Sequence, residues 1–315
     1  MKKTRVILIV TILISFSFKE NTVAYTIPDY VKEAVSFVFF GKIGDPLDQL
    51  KPVGTAFFVS IYEKSNKMTF GYLVTAKHVL LDPKNKEQYL PYIIFRLNDQ
   101  AGKYKLKPVI LQGKDASKIY THDDDETVDI AVIPFMPDIN VLKYKFITVD
   151  KIATMEKFKQ ANIKEGNEVF FTGMFTFFYG KKRNYPIVRY GKVAMMTDEK
   201  IPISRYQETF LYLIECQSYG GNSGSPVFFR IEPKKSFLGF KRINEPEFLL
   251  AGVLKGGYER SKEIKVIDKK KVPAFQENLG ITVVTPAYLL HEILFNDKLK
   301  KLRATANPVK GDALK

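Results

Sequence analysis

The stretch Gly220-Gly221-Asn222-Ser223-Gly224-Ser225-Pro226 sits between two apolar runs that read as strands, Phe210 to Cys216 and Val227 to Phe229. Three glycines within five residues mark a backbone that turns sharply or passes very close to a neighbour. A serine in the middle of such a turn is held out from the fold with its hydroxyl free. Its own N–H and that of Gly221 can then point into one small pocket. Donors arranged in that way suit a nucleophile beside an oxyanion hole, where charge develops on a carbonyl oxygen. The same residues suit a plain hairpin loop, because Gly, Ser and Asn are common turn formers. The rest of the chain decides between the two.

Outward from this turn, short apolar or alternating runs recur with turn residues between them. The first half offers Val35–Phe40, Thr55–Ser60, Phe70–Thr75, Tyr92–Arg96, Pro108–Leu111 and Asp129–Pro134. The second offers Glu168–Phe178, Pro186–Met196, Phe210–Cys216, Val227–Ile231, Phe248–Leu254 and Ile281–Val284. The 25 Phe and 17 Tyr favour strands. Regularly spaced short strands predict an all-β protein of two six-stranded antiparallel barrels, one over residues 25–155 and one over 156–302. Helical spacing is scarce before residue 286. Leu289, Leu290, Ile293 and Leu294 then predict a C-terminal helix packed on the second barrel, with Thr285 as its cap and Pro286 at its first position. Residues 303–315 are polar and predict a frayed tail.

The N-terminus reads as an export signal. Lys2, Lys3 and Arg5 precede an apolar run from Val6 to Phe18, too short to span a bilayer comfortably, and Thr22-Val23-Ala24 offers a cleavage site after Ala24. Residues 1–24 are therefore expected to be a signal peptide, with a secreted or periplasmic mature protein; an uncleaved anchor is the alternative. The single cysteine, Cys216, excludes an intramolecular disulfide and fits a bacterial envelope or secreted protein. It reads as a small buried hydrophobe rather than a nucleophile. The formal net charge of +15, spread in lysine-rich turns, implies affinity for anionic surfaces. No aromatic-and-basic motif points to nucleic acid, and no nucleic-acid partner is expected. The acidic run Asp123–Glu126 lacks the spaced ligands of a calcium loop and reads as solvated charge. No metal or cofactor is expected.

A serine hydroxyl needs a base within reach, and the base needs a group to fix its tautomer. Three histidines are available. His78 ends the apolar run Tyr72-Leu73-Val74-Thr75-Ala76-Lys77, placed to leave the core for a cleft. His122 lies in the acidic loop and His291 on the polar side of the terminal helix; both are expected at the surface. Asp129 opens the apolar strand Ile130-Ala131-Val132-Ile133, where a half-buried carboxylate wants a partner.

Gly54-Thr55-Ala56-Phe57-Phe58-Val59, Thr75-Ala76-Lys77-His78-Val79, Asp129-Ile130-Ala131-Val132 and Gly221-Asn222-Ser223-Gly224-Ser225-Pro226 resemble, in order, the blocks of the trypsin-like (chymotrypsin-fold) serine peptidases. The bacterial trypsin-like and glutamyl-endopeptidase-type members are most similar, and the resemblance covers roughly residues 33–290. It implies His78 as general base, Asp129 as its orienting carboxylate and Ser223 as nucleophile, with the Gly221 and Ser223 N–H groups as oxyanion hole. Leu250–Gly257 resembles the strand lining the primary specificity pocket, which implies Gly252, Leu254, Lys255 and Gly256 as substrate contacts, with Gln217 near the pocket floor. Without an acid there, a preference for Lys or Arg has little support, and Leu254 stands where a histidine would favour acidic substrates. No Ile-Val-Gly-Gly-like start is present for activation by cleavage. The resemblance implies a serine endopeptidase acting on proteins or peptides; a protease-like binding or scaffold protein with little turnover is the alternative. A quality-control protease of the high-temperature-requirement type ranks below both, since too few residues follow the second barrel for a peptide-binding domain.

Overall fold

The protein is described by a computed structural model covering residues 26–204, 207–232, 246–261 and 276–306. The leader 1–24 and most of the tail 303–315 lie outside the described residues. Strands form at the apolar runs, although the expected Glu168–Phe178 ends at Gly173 and residues 174–178 leave the sheet as a loop. Val35–Phe40 has the expected bounds, and Thr55–Ser60 extends to Lys51–Glu63. In that strand every residue from Gly54 to Ile61 is buried, so both faces are covered.

The second barrel closes as expected. Its strands run Glu168–Gly173, Ile187–Met196, Tyr212–Glu215, Gln276–Pro286, Glu247–Ser261, Pro226–Ile231, and the last pairs back on the first. The first unit differs from a six-stranded barrel. It is a seven-stranded sheet ordered Tyr104–Ile110, Tyr92–Asn98, Val35–Phe40, Lys51–Glu63, Met68–Thr75, Ala131–Pro134, with Ile147–Thr148 added parallel to Lys51–Glu63. The two terminal strands of this path do not pair with each other.

Phe57, Phe58, Val59, Phe95 and Ile133 fill the first core; Val169, Phe171, Phe229, Leu249 and Val284 fill the second. Each such side chain contributes about 1.5–3 kcal/mol on burial. The first core does not stop at its own sheet. It continues through Phe170, Phe228 and Leu250 to Leu290, Ile293 and Leu299.

The C-terminus departs from the sequence reading. Thr285 is the buried penultimate residue of a strand, and Pro286 is the N-cap of a helix over Ala287–Leu294. A second helix, Asp297–Thr305, follows, its N-terminus capped by the Asn296 side chain, which accepts from Leu299 N at 2.9 Å. Arg303, placed by sequence in a frayed tail, is 1% exposed. Its Nη1 donates to the Tyr72 hydroxyl at 3.1 Å and to Leu294 O at 2.8 Å. Asn66 Nδ2 donates to Arg303 O. The helices therefore reach the first sheet as well as the second barrel.

Candidate active site

His78 leaves the core on a short 3-10 turn, Lys77–Leu80, directly after the strand Met68–Thr75. Asp129 lies just before the strand Ala131–Pro134, which pairs with Met68–Thr75 and so brings the two together. One carboxylate oxygen, Oδ1, accepts the His78 backbone N–H at 2.9 Å, and Oδ2 meets His78 Nδ1 at 2.7 Å. An ionised carboxylate only accepts, so the ring carries its proton on Nδ1 and presents Nε2 as a free acceptor. Burial pushes the Asp129 carboxyl up, but the His78 imidazole with its hydrogen bonds and the Lys255 ammonium outweigh it and hold the group well below the ordinary carboxylate range. Lys255 Nζ lies 3.5 Å from Oδ2, the oxygen already used by Nδ1.

Ser223 stands on the turn between the strands Tyr212–Glu215 and Pro226–Ile231. Gly221 has φ +91° and Gly224 φ +85°, a region L side chains rarely adopt. A Cβ on Gly224 would also come within 2.0 Å of Thr55 O. The turn is pinned from both units. Thr55 N donates to Ser223 O at 2.8 Å and Thr55 Oγ1 to Gly221 O at 2.8 Å. Asn222, 1% exposed, donates through Nδ2 to Met174 O and accepts from Tyr219 N. Gly224 N and Leu254 N bond Leu254 O and Ser225 O. Among the described residues, the N–H groups of Gly221 and Ser223 donate to no other group, so both are available to an incoming anion.

The Ser223 hydroxyl donates to Lys255 O at 3.0 Å, not to the imidazole. Lys255 thus touches both arms of the site, Ser223 through its carbonyl and Asp129 through its side chain. His78, Asp129, Lys255, Gly256 and Gly257 line one cleft of about 1040 Å³.

The other sequence candidates divide. Gly256 faces that cleft, and a Cβ there would meet nothing. Leu254 is fully buried, its backbone spent on the serine turn, and Gly252 packs in the barrel wall, where a Cβ would come 2.2 Å from Thr285 O. Both act as scaffold. Gln217 is exposed rather than on a pocket floor, its Oε1 accepting from the Tyr219 hydroxyl. The buried polar groups here are Ser218 and Thr282, whose hydroxyls meet at 2.9 Å. Cys216 is buried, and burial pushes its thiol up, away from a nucleophilic thiolate. His122 is more enclosed than a solvated loop implies. Its Nδ1 accepts from Asp124 N and Asp125 N, and its Nε2 meets Glu292. Sequence reasoning missed Thr55, Asn222 and the Lys255 ammonium. The signal for Thr55 was a hydroxyl inside an otherwise apolar strand.

A family model described as the trypsin-like peptidase domain matches residues 54–230. No curated protein matches the chain. Among solved structures, Deg5 is similar at 15% identity, over 72% of this chain and 81% of that one, with a TM-score of 0.40. The active form of the Rv3671c protease from M. tuberculosis shares 14% identity over 89% and 85%, with a TM-score of 0.44. The thermostable serine protease AL20 from an extremophilic microorganism shares 13% over 83% and 95%, with a TM-score of 0.43.

Proposed function

Because this chain belongs to the trypsin-like peptidase domain family, matched over more than half its length, we propose that it is an exported serine endopeptidase with His78, Asp129 and Ser223 as its reacting triad. The observation that carries this reading is the double grip of Asp129 on the His78 backbone N–H and ring Nδ1, which leaves Nε2 as the acceptor. For this chemistry the Ser223 hydroxyl must leave Lys255 O, where it now donates, for Nε2. Ser223 Oγ attacks the substrate carbonyl carbon as Nε2 takes its proton. The tetrahedral oxyanion is held by the Gly221 and Ser223 N–H groups. Its collapse expels the amine, which His78 protonates, and leaves an acyl-enzyme. Water, deprotonated by His78, then releases the acid and restores Ser223. The open space before Gly256 supports an extended substrate lying along that strand edge. The basic leader followed by Val6–Phe18 supports export, with cleavage near Ala24.

One observation favours the scaffold reading: the hydroxyl rests on Lys255 O rather than on the base. A fluorophosphonate probe separates the two. Labelling of the wild type that is lost in Ser223→Ala, with peptide hydrolysis falling by at least about 10⁴-fold in His78→Ala, is the expected result. Equal labelling of wild type and Ser223→Ala would refute the nucleophile, and no labelling of either would favour the scaffold.

A further inference from the structure

The loop joining Glu168–Gly173 to Ile187–Met196 has no part in the chemistry above, yet it carries the most exposed aromatic ring described. Phe177 is 83% exposed and Phe178 57%, and Tyr185 and Tyr190 farther along the chain are exposed too. Residues 169–197 contain no Asp or Glu but five cations, Lys181, Lys182, Arg183, Arg189 and Lys192, of which all but Arg189 are exposed. The loop is also firmly held at its base. Arg96, fully buried in the first sheet, donates to Tyr179 O at 3.1 Å, Gly180 O at 2.7 Å and Asn184 Oδ1 at 3.0 Å. Asn184 Nδ2 donates to Arg96 O at 2.6 Å, and its backbone N–H donates to Asn98 Oδ1 at 2.7 Å. The Tyr179 ring packs edge-on against Phe39 at 5.2 Å. The ties at Tyr179, Gly180 and Asn184 fix the backbone that follows the two phenylalanines, whose rings stand exposed.

We propose that this loop is an interfacial anchor for an anionic lipid surface, with Phe177 and Phe178 entering the acyl boundary and Lys181, Lys182 and Arg183 at the lipid phosphates. Charge complementarity selects lipid: a run of cations unbroken by any acid meets a surface of like-signed phosphates, where each cation adds severalfold to binding. The apolar tip selects lipid over a polyanion without rings; a single-stranded nucleic acid, whose bases can stack on phenyl rings, is the competing occupant that the oligonucleotide control tests. Rings held ready at the tip bind without first being ordered. The same loop touches the site, since Thr176 Oγ1 donates to Gly220 O and Met174 O accepts from Asn222. On the peptidase reading above, docking therefore places the cleft at a membrane face; the docking itself stands without that reading.

The chain has no tryptophan, so Phe177→Trp adds a unique reporter at the tip. Its emission should shift to the blue and be quenched by brominated acyl chains on vesicles of phosphatidylcholine with phosphatidylglycerol. Phosphatidylcholine alone, or a single-stranded oligonucleotide, should leave it unchanged. Adding Lys181→Ser, Lys182→Ser and Arg183→Ser should weaken binding about a hundredfold. Phe178→Trp serves as a second reporter, and Tyr62→Trp, exposed on another strand, should stay unshifted. An indole at the tip that remains in water while the protein sediments with anionic vesicles would overturn the proposal. So would an equal response to neutral lipid, or a shift produced by the oligonucleotide. Each readout is independent of peptidase activity, and active enzyme without tip insertion would sink the anchor alone.

Discussion

Lys255 gives the site its individual character. Its ammonium shares Asp129 Oδ2 with the imidazole, and its carbonyl holds the Ser223 hydroxyl. The ammonium is one of the partners that hold the Asp129 carboxyl low. Lys255→Met keeps the aliphatic stem and removes the charge. The loss of stability that Asp129 causes on acidification below about pH 4, read from urea midpoints, should then be smaller than in wild type, while Lys255→Arg keeps it. An equal loss in Lys255→Met and wild type would mean the ammonium is spent on solvent. Asp129 makes a second statement about pH. Its carboxyl is held below its unfolded value, so its contribution to stability is present above about pH 4 and is lost as pH falls below that. In urea midpoints, Asp129→Asn should be less stable than wild type at pH 7, and the gap should narrow between about pH 4 and pH 2. A gap constant over that range would show that the carboxylate is not held by charge.

At the level of elements, the site depends on a strand of one unit clipping a turn of the other. Thr55 Oγ1 donates to Gly221 O and accepts from Met174 N at 3.0 Å, and Thr55 O accepts from Thr75 Oγ1. Thr55→Val keeps the shape and leaves Gly221 O and Met174 N unpaired, at a cost of about 2–4 kcal/mol. On the proposed peptidase reading, in which Gly221 supplies an oxyanion donor, kcat should fall about tenfold or more with KM little changed. A KM effect alone would place Thr55 outside the catalytic turn. Thr55 also shows what the sequence could and could not carry. Strand positions and the serine turn are local: alternation, β-branched residues and glycines at positive φ announce them within a few residues. His78 and Asp129 were legible because each sits at the end of an apolar strand, where a polar group must find a partner. The Thr55–Gly221 bond joins residues 166 positions apart, and nothing near either one names the other. The resemblance implies Lys255 as a substrate contact; its ion pair with Asp129, remote in sequence, has no local signal. The open edge of the first sheet was hidden for the same reason. Six apolar runs predict six strands, but closure depends on which terminal strands meet.

At the scale of the whole molecule, the C-terminal helices tie the second barrel back to the first sheet. Leu290, Ile293 and Leu299 belong to the first core, and Arg303 reaches Tyr72 in the strand Met68–Thr75, with Glu63 at 3.7 Å as its ion-pair partner. The sequence disguised this contact, since Lys298-Leu299-Lys300-Lys301-Leu302-Arg303 looks like a solvated basic end. A guanidinium this deeply buried is held by its acceptors, and removing it strands the Tyr72 hydroxyl and Leu294 O without a donor. Arg303→Met should cost about 2–4 kcal/mol. More telling is the shape of the transition. With the strap intact the first core runs on through the second barrel to the helices, and the two units should melt together in calorimetry. With Arg303→Met the first sheet loses its tie to the helices, and the single peak should broaden or split. Rescue by Arg303→Lys, which restores a donor to the Tyr72 hydroxyl, should bring the two halves together again. A variant that melts earlier but still in one two-state step would show that the hydrophobic face of the helices couples the units without the arginine.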